Sequence, residues 1–206
     1  MRKVYLLLIA IMALTNSYSQ EVYFLTGSNF TKYNFKSSNE PMTTALQSGT
    51  GSNYEIGYYF PLNSDEFSYS AGITLNEFNA LAGLPANNYQ WNTKYLGAQS
   101  ALNYTYSVSN AFQIALKGGV NISKIIYGKQ NINGTIYDLI NQKEFSGALF
   151  SYFAGLHANY KFNDLGYLSL GYGFLNGINT SNSTQEKVSF NSQQIQLGIH
   201  FNINKK

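Results

Sequence analysis

The chain of 206 residues contains no cysteine. Disulfide frameworks and thiolate-ligated metals are therefore excluded, as is a lipid anchor on a cysteine behind a leader. Arg2 is the only arginine, and every other cation is a lysine. Charged residues of all kinds reach only 11%, against about 25% in ordinary soluble domains. A soluble protein of this size needs more charge to cover its surface; one whose outside touches lipid does not. After residue 20 no apolar run approaches the ~20 residues of a membrane-spanning helix. Any membrane passage by that part must be a closed barrel, because only closure satisfies every backbone amide in hydrocarbon. Clustered basic faces, calcium-loop spacings and glycine-rich phosphate cradles are missing too, so neither nucleic acid nor a cofactor is expected.

What is present begins with an export signal. Arg2 and Lys3 precede an apolar stretch from Val4 to Leu14, and Ser17 and Ser19 stand before a cut expected at Gln20. The order predicts a signal peptide over residues 1–19 and one domain over 20–206. With Arg2 and Lys3 removed, eleven lysines face ten acidic residues, a balance that calls for no charged partner. Aromatics make up 16%, led by tyrosine.

Period-two alternation, the mark of a strand, runs through this domain. Tyr54, Ile56, Tyr58, Phe60 and Leu62 share one face, and Glu55, Gly57 and Tyr59 the other. Past the polar turn Asn63 to Glu66, Phe67, Tyr69, Ala71, Ile73 and Leu75 oppose Ser68, Ser70, Gly72 and Thr74. Two such runs across a short polar turn read as a hairpin. Similar strands are expected over 95–106, 112–123, 146–162, 168–174 and 194–203. With a first strand of mixed pattern over 22–35, they total eight.

Three features turn the apolar face outward. The polar face is Ser, Asn, Gln, Thr and Gly, which suits a hydrogen-bonded lumen better than a solvent surface. The links near 63–66, 107–110 and 163–166 are short, and those near 36–51, 77–92, 127–145 and 179–190 are long, the asymmetry of membrane barrels. Aromatics gather at the short-turn ends, at Tyr58, Phe60, Phe67, Tyr104, Tyr106, Phe112, Tyr160, Phe162 and Tyr167, where a headgroup-level girdle is expected. The fold expected is an all-β, eight-stranded antiparallel transmembrane β-barrel, embedded in outer-membrane lipid with both termini periplasmic.

The Gly27-Ser28-Asn29-Phe30-Thr31 stretch, Tyr95-Leu96 opening a strand, Gly118-Gly119 and the alternating last strand carry a resemblance. The chain resembles the small outer-membrane β-barrel (porin-family, PorT-like) proteins of Bacteroidota. The resemblance implies an outer-membrane location and insertion by the barrel-assembly machinery. It implies no single activity.

An eight-stranded barrel is only wide enough for its own side chains to fill. Glu55, Lys117, His157, Lys161 and His200 are placed inward by alternation, and a buried charge needs a partner. Glu55 is therefore expected to accept from Lys117 or Lys161. Catalysis by the two histidines would need a nucleophile and an orienting group beside each. A deacylase of the barrel type pairs His and Ser two apart on a strand; Asn159 and Asn202 stand there instead, so no enzyme and no catalytic or metal residue is expected. The long loops carry Phe78, Tyr89, Trp91 and Ile136, which mark a contact surface for an outer-membrane or extracellular protein, fold back over the mouth, or extend the strands. The role expected is structural or loop-mediated, with a minor pore or accessory subunit of a transport or secretion complex as the alternative.

Overall fold

The computed structural model describes residues 21–36, 47–62, 66–84, 87–143, 145–180 and 187–203. The expected signal peptide, residues 63–65 of the first turn and parts of the loops 36–51 and 179–190 lie outside the described residues. Among those described, ten strands form in chain order: β1 (Glu21–Lys36), β2 (Gln47–Pro61), β3 (Phe67–Glu77), β4 (Ala80–Leu84), β5 (Asn87–Ser107), β6 (Phe112–Ile132), β7 (Thr135–Asp138), β8 (Leu149–Asn163), β9 (Gly166–Asn179) and β10 (Lys187–Asn202).

Eight of them close a ring of antiparallel neighbours, β1-β2-β3-β5-β6-β8-β9-β10, with β10 returning to β1. Short β4 bridges the upper ends of β2 and β5, and β7 lies against the upper end of β6. Following cross-strand partners once around gives the stagger. Val22 pairs with Tyr58, then Ala71, Ser100, Val120, Tyr152, Asn176 and Asn191, and the path meets β1 again at Lys32, ten residues higher. With ordinary strand spacings that shear tilts the strands by about 40° and gives a radius of about 8 Å.

The apolar alternate residues face outward, as alternation anticipated. Ile56, Ile73, Leu102, Leu116, Ile122, Leu156, Leu170 and Leu197 all stand exposed on the outer wall. On β5 this belt runs from Leu96 to Tyr106 and on β6 from Phe112 to Ile122, matching the about 9–11 residues that cross a bilayer at a tilt. Tyr58, Phe67, Tyr106, Phe112, Tyr160 and Phe162 ring its short-turn edge. Tyr167 does not join them. It pairs with His200, which is buried, and paired residues share a face, so Tyr167 points to the lumen mouth. The sequence mistake was one of phase at a turn: the chain passes through Asn163 to Gly166, where Asn163 Oδ1 accepts from the amides of Leu165 at 2.8 Å and Gly166 at 3.1 Å.

Two of the expected long loops are largely strand. Residues 80–84 and 87–94 continue the sheet above β3, and β6 carries on to Ile132 before turning into β7. Asn133 (φ 51°) and Gly134 (φ 88°) form that turn, and an Asn-Gly pair is suited to the positive φ angles of a tight hairpin. A pattern of polar outward residues hides these extensions from a search for apolar alternation.

Inside, the barrel is layered. Tyr33, Phe78, Tyr95, Ile125, Leu139, Phe145, Leu149, Val188 and Phe190 close the long-loop end as an apolar plug. Amides, hydroxyls and a few charges fill the middle. β1 supplies both layers, with Tyr23, Leu25 and Tyr33 inward beside Asn29 and Thr31. This explains its mixed pattern.

Candidate functional site

The lumen is centred on Glu55. Its outward neighbours on β2, Tyr54 and Ile56, belong to the belt, so the pleat turns the carboxylate inside. There Lys117 Nζ of β6 donates to Oε1 at 2.6 Å, Tyr23 Oη of β1 at 2.5 Å and Gln99 Nε2 of β5 at 2.7 Å. Both charges are 4% exposed. The Lys117 ammonium also stands 4.9 Å from the centre of the Tyr23 ring. A buried ion pair repays its desolvation only when further hydrogen bonds satisfy it, and Tyr23 and Gln99 provide them.

Above this centre an amide ladder crosses the lumen. Gln194 and Asn53 both donate to Asn29 Oδ1, at 2.8 and 3.2 Å, and Gln196 donates to Asn53 Oδ1 at 3.1 Å. Asn121 donates to Thr74 Oγ1 at 2.7 Å. Space is made by glycine: a Cβ on Gly57 would lie 2.6 Å from the Tyr23 hydroxyl, and one on Gly171 2.5 Å from the His157 ring. Beside the ion pair lies a cavity of about 20 Å³ lined by Glu55, Gln99, Lys117, His157, Gln194 and Gln196 among others, room for about one water.

The other expected lumen residues divide. His157 is buried with its Nδ1 3.4 Å from Ser169 Oγ, a long contact between two buried groups. His200 is buried nearer the short-turn end, Nδ1 to Glu21 Oε1 at 2.5 Å, with its ring beside Tyr23 and Tyr59. Its Nε2 has no partner among the described residues. Lys161 does not reach Glu55. It lies at the last turn, where Asp164 takes its ammonium at 2.9 Å. Glu55 is thus held by Lys117, and Lys161 leaves the network because a nearer carboxylate stands three residues along. Sequence reasoning missed Tyr23, Gln99 and Glu21 as partners. Gln99 was legible on the polar face, but Tyr23 and Glu21 were obscured by the irregular first strand.

The loop residues divide as well. Phe78 is not a surface residue: it is 2% exposed, its ring centred 4.3 Å from Phe190. Its carbonyl accepts from the hydroxyls of Tyr33 and Thr93. Trp91 packs edge-on against Tyr33 at 5.2 Å and Phe145 at 5.7 Å, at the border of the plug. Tyr89 lies in β5, paired with Ile132, and its side chain is outside the described part. Ile136, on β7, is 65% exposed. Beside it Asp138 ties the hairpin. The Ile140 amide (2.8 Å) and the Lys129 ammonium (3.2 Å) hold its carboxyl below the usual range.

No protein-family model matches the chain, and no curated protein matches it. Solved structures do. Neisserial surface protein A (NspA) superposes with a TM-score of 0.53 at 13% identity, covering 88% of this chain and 97% of that one. The outer membrane protein OprG from Pseudomonas aeruginosa superposes at 0.50 and 14% identity, covering 89% and 96%. At such identities the likeness speaks for the fold. The chain has the eight-stranded antiparallel architecture of small outer-membrane β-barrels.

Proposed function

We propose that this protein is an integral outer-membrane barrel with a closed lumen, both termini on the periplasmic side, acting as a rigid platform for its outward strand extensions. The observation that carries this reading is the filling of the lumen. Among the described residues, the Glu55-centred network and amide ladder occupy its middle around a cavity of about 20 Å³, and the Phe78–Phe190 plug closes its long-loop end. A pore would need a continuous water path, and a catalytic His157–Ser169 pair would need an opening for substrate. The burial of both side chains favours neither. The PorT-like resemblance fits the same reading, in which the barrel-insertion machinery places the chain and loop-borne contacts give it a role.

Planar-bilayer recording of the refolded protein tests the closed lumen. The expectation is a quiet membrane at moderate voltage. Reproducible single-channel steps from the pure protein would replace the platform by a minor pore.

A further inference from the structure

Where the apolar belt stops, a polar cleft begins. Above Leu96 on β5 the outward positions are Lys94, Asn92 and Gln90, and the register places Glu77, Lys94 and Tyr127 side by side across β3, β5 and β6. Glu77, Asn79, Asn92, Thr93, Lys94 and Tyr127 line a cleft of about 480 Å³, within the range of about 300–1,000 Å³ usual for small-ligand sites.

Its groups are fixed by the backbone around them. Asn79 donates to the Thr50 carbonyl at 2.9 Å and accepts from the Thr93 amide at 3.1 Å. Glu77 meets Lys94 Nζ at 2.7 Å through Oε1 and the Ser52 amide at 3.3 Å through Oε2. Gln90 holds Asn92 at 3.1 Å. Groups ordered before a ligand arrives cost less to bind with. Tyr127 adds an aromatic ring that is 40% exposed, with the Lys94 ammonium 5.9 Å from its centre.

The chemistry selects among ligands. Among the described residues lining the cleft, Lys94 is matched by Glu77, so an anion gains little and meets the Glu77 carboxylate. An apolar ligand would strip water from amides and charges without replacing their hydrogen bonds. A sugar ring fits both halves: its hydroxyls match the carboxylate, amide and ammonium, and its C–H face matches the tyrosine ring. We propose that the cleft formed by Glu77, Asn79, Asn92, Lys94 and Tyr127 at the outer rim of the barrel binds a neutral saccharide. The inference rests on the outward orientation of the long-loop end taken above. A sugar in that place comes either from the lipopolysaccharide core of the same membrane or from a foreign surface.

Calorimetric titration of the refolded barrel in detergent micelles separates these. One probe is the neutral hexose oligosaccharide of the lipopolysaccharide outer core, freed of phosphate and of the acidic inner-core sugars, and the other is lacto-N-tetraose, a neutral foreign glycan. Saturable binding of either supports the site, and the one that binds names the source. Tyr127→Ala and Asn92→Ala should each weaken binding by about tenfold, and Tyr127→Phe should retain most of it. A heat-dependent gel shift confirms that each variant is folded. The site is refuted by three results: no saturation with either sugar, indifference to Tyr127→Ala, or loss of binding on adding about 0.5 M salt, which would mark a screened ionic contact instead. Bilayer conductance would be unchanged by any of them, so this proposal and the closed lumen fail by different measurements.

Discussion

Lys117 and Glu55 form the most exacting contact in the molecule, since each buried charge depends on the other. Replacing Lys117 by Met leaves the carboxylate uncompensated, and breaking such a pair costs about 3–5 kcal/mol. Urea unfolding in lipid vesicles should show that loss for Lys117→Met and a clearly smaller one for the double variant Glu55→Gln/Lys117→Met. Equal losses would mean that the pair is not coupled. Alternation was enough to turn Glu55, Lys117, His157 and His200 inward. It was not enough to choose Lys117 over Lys161, because both stand on the same face and only their heights differ. Lys161 sits beside a turn carboxylate, and Lys117 sits opposite Glu55. Tyr23, the third member of the cluster, lies on a strand that carries Leu25 and Tyr33 inward too, so a reading that seeks polar residues inside passes over it.

At the scale of elements, β5 and β6 reach about twice the length a membrane crossing requires. Their upper halves, with β4 and β7, build a sheet beyond the belt in place of the loops expected over 77–92 and 127–145. The Asn133-Gly134 pair was the available signal for the β6–β7 hairpin. Asp138 ties that hairpin, and its carboxyl is held low first by the Ile140 amide and then by Lys129. A depressed folded value means that the contribution is full above the ordinary aspartate range, about pH 4, and fades as pH falls through the lower folded value. In a pH titration by NMR, the Ile140 amide resonance should therefore move below the ordinary range, and Asp138→Asn should abolish the movement. A midpoint at the ordinary value would show that the two contacts do not persist in solution.

At the scale of the whole molecule, the proposed membrane role depends on the belt facing hydrocarbon. Leu102, at 60% exposure and midway along the belt segment of β5, is the sharpest probe. Leu102→Arg should cost about 2–4 kcal/mol in a bilayer. Tyr137→Arg, on β7 beyond the belt, should change stability by less than about 0.5 kcal/mol. Comparable costs at both sites would mean that depth in a membrane has no part in either.

The sequence by itself determined the period of two, the apolar side of the ring strands other than β1, the number of strands in the ring and the length of the belt. All follow from side-chain alternation along a pleated backbone, a property that each strand carries alone. What only the tertiary structure decided is height. Closing the ring with a shift of ten residues from Val22 to Lys32 slides each strand against the next. That slide brings Glu55 to Lys117, stacks Phe78 on Phe190, and aligns Glu77, Lys94 and Tyr127 at the rim. Local pattern is blind to such meetings because they depend on the register of every strand between them.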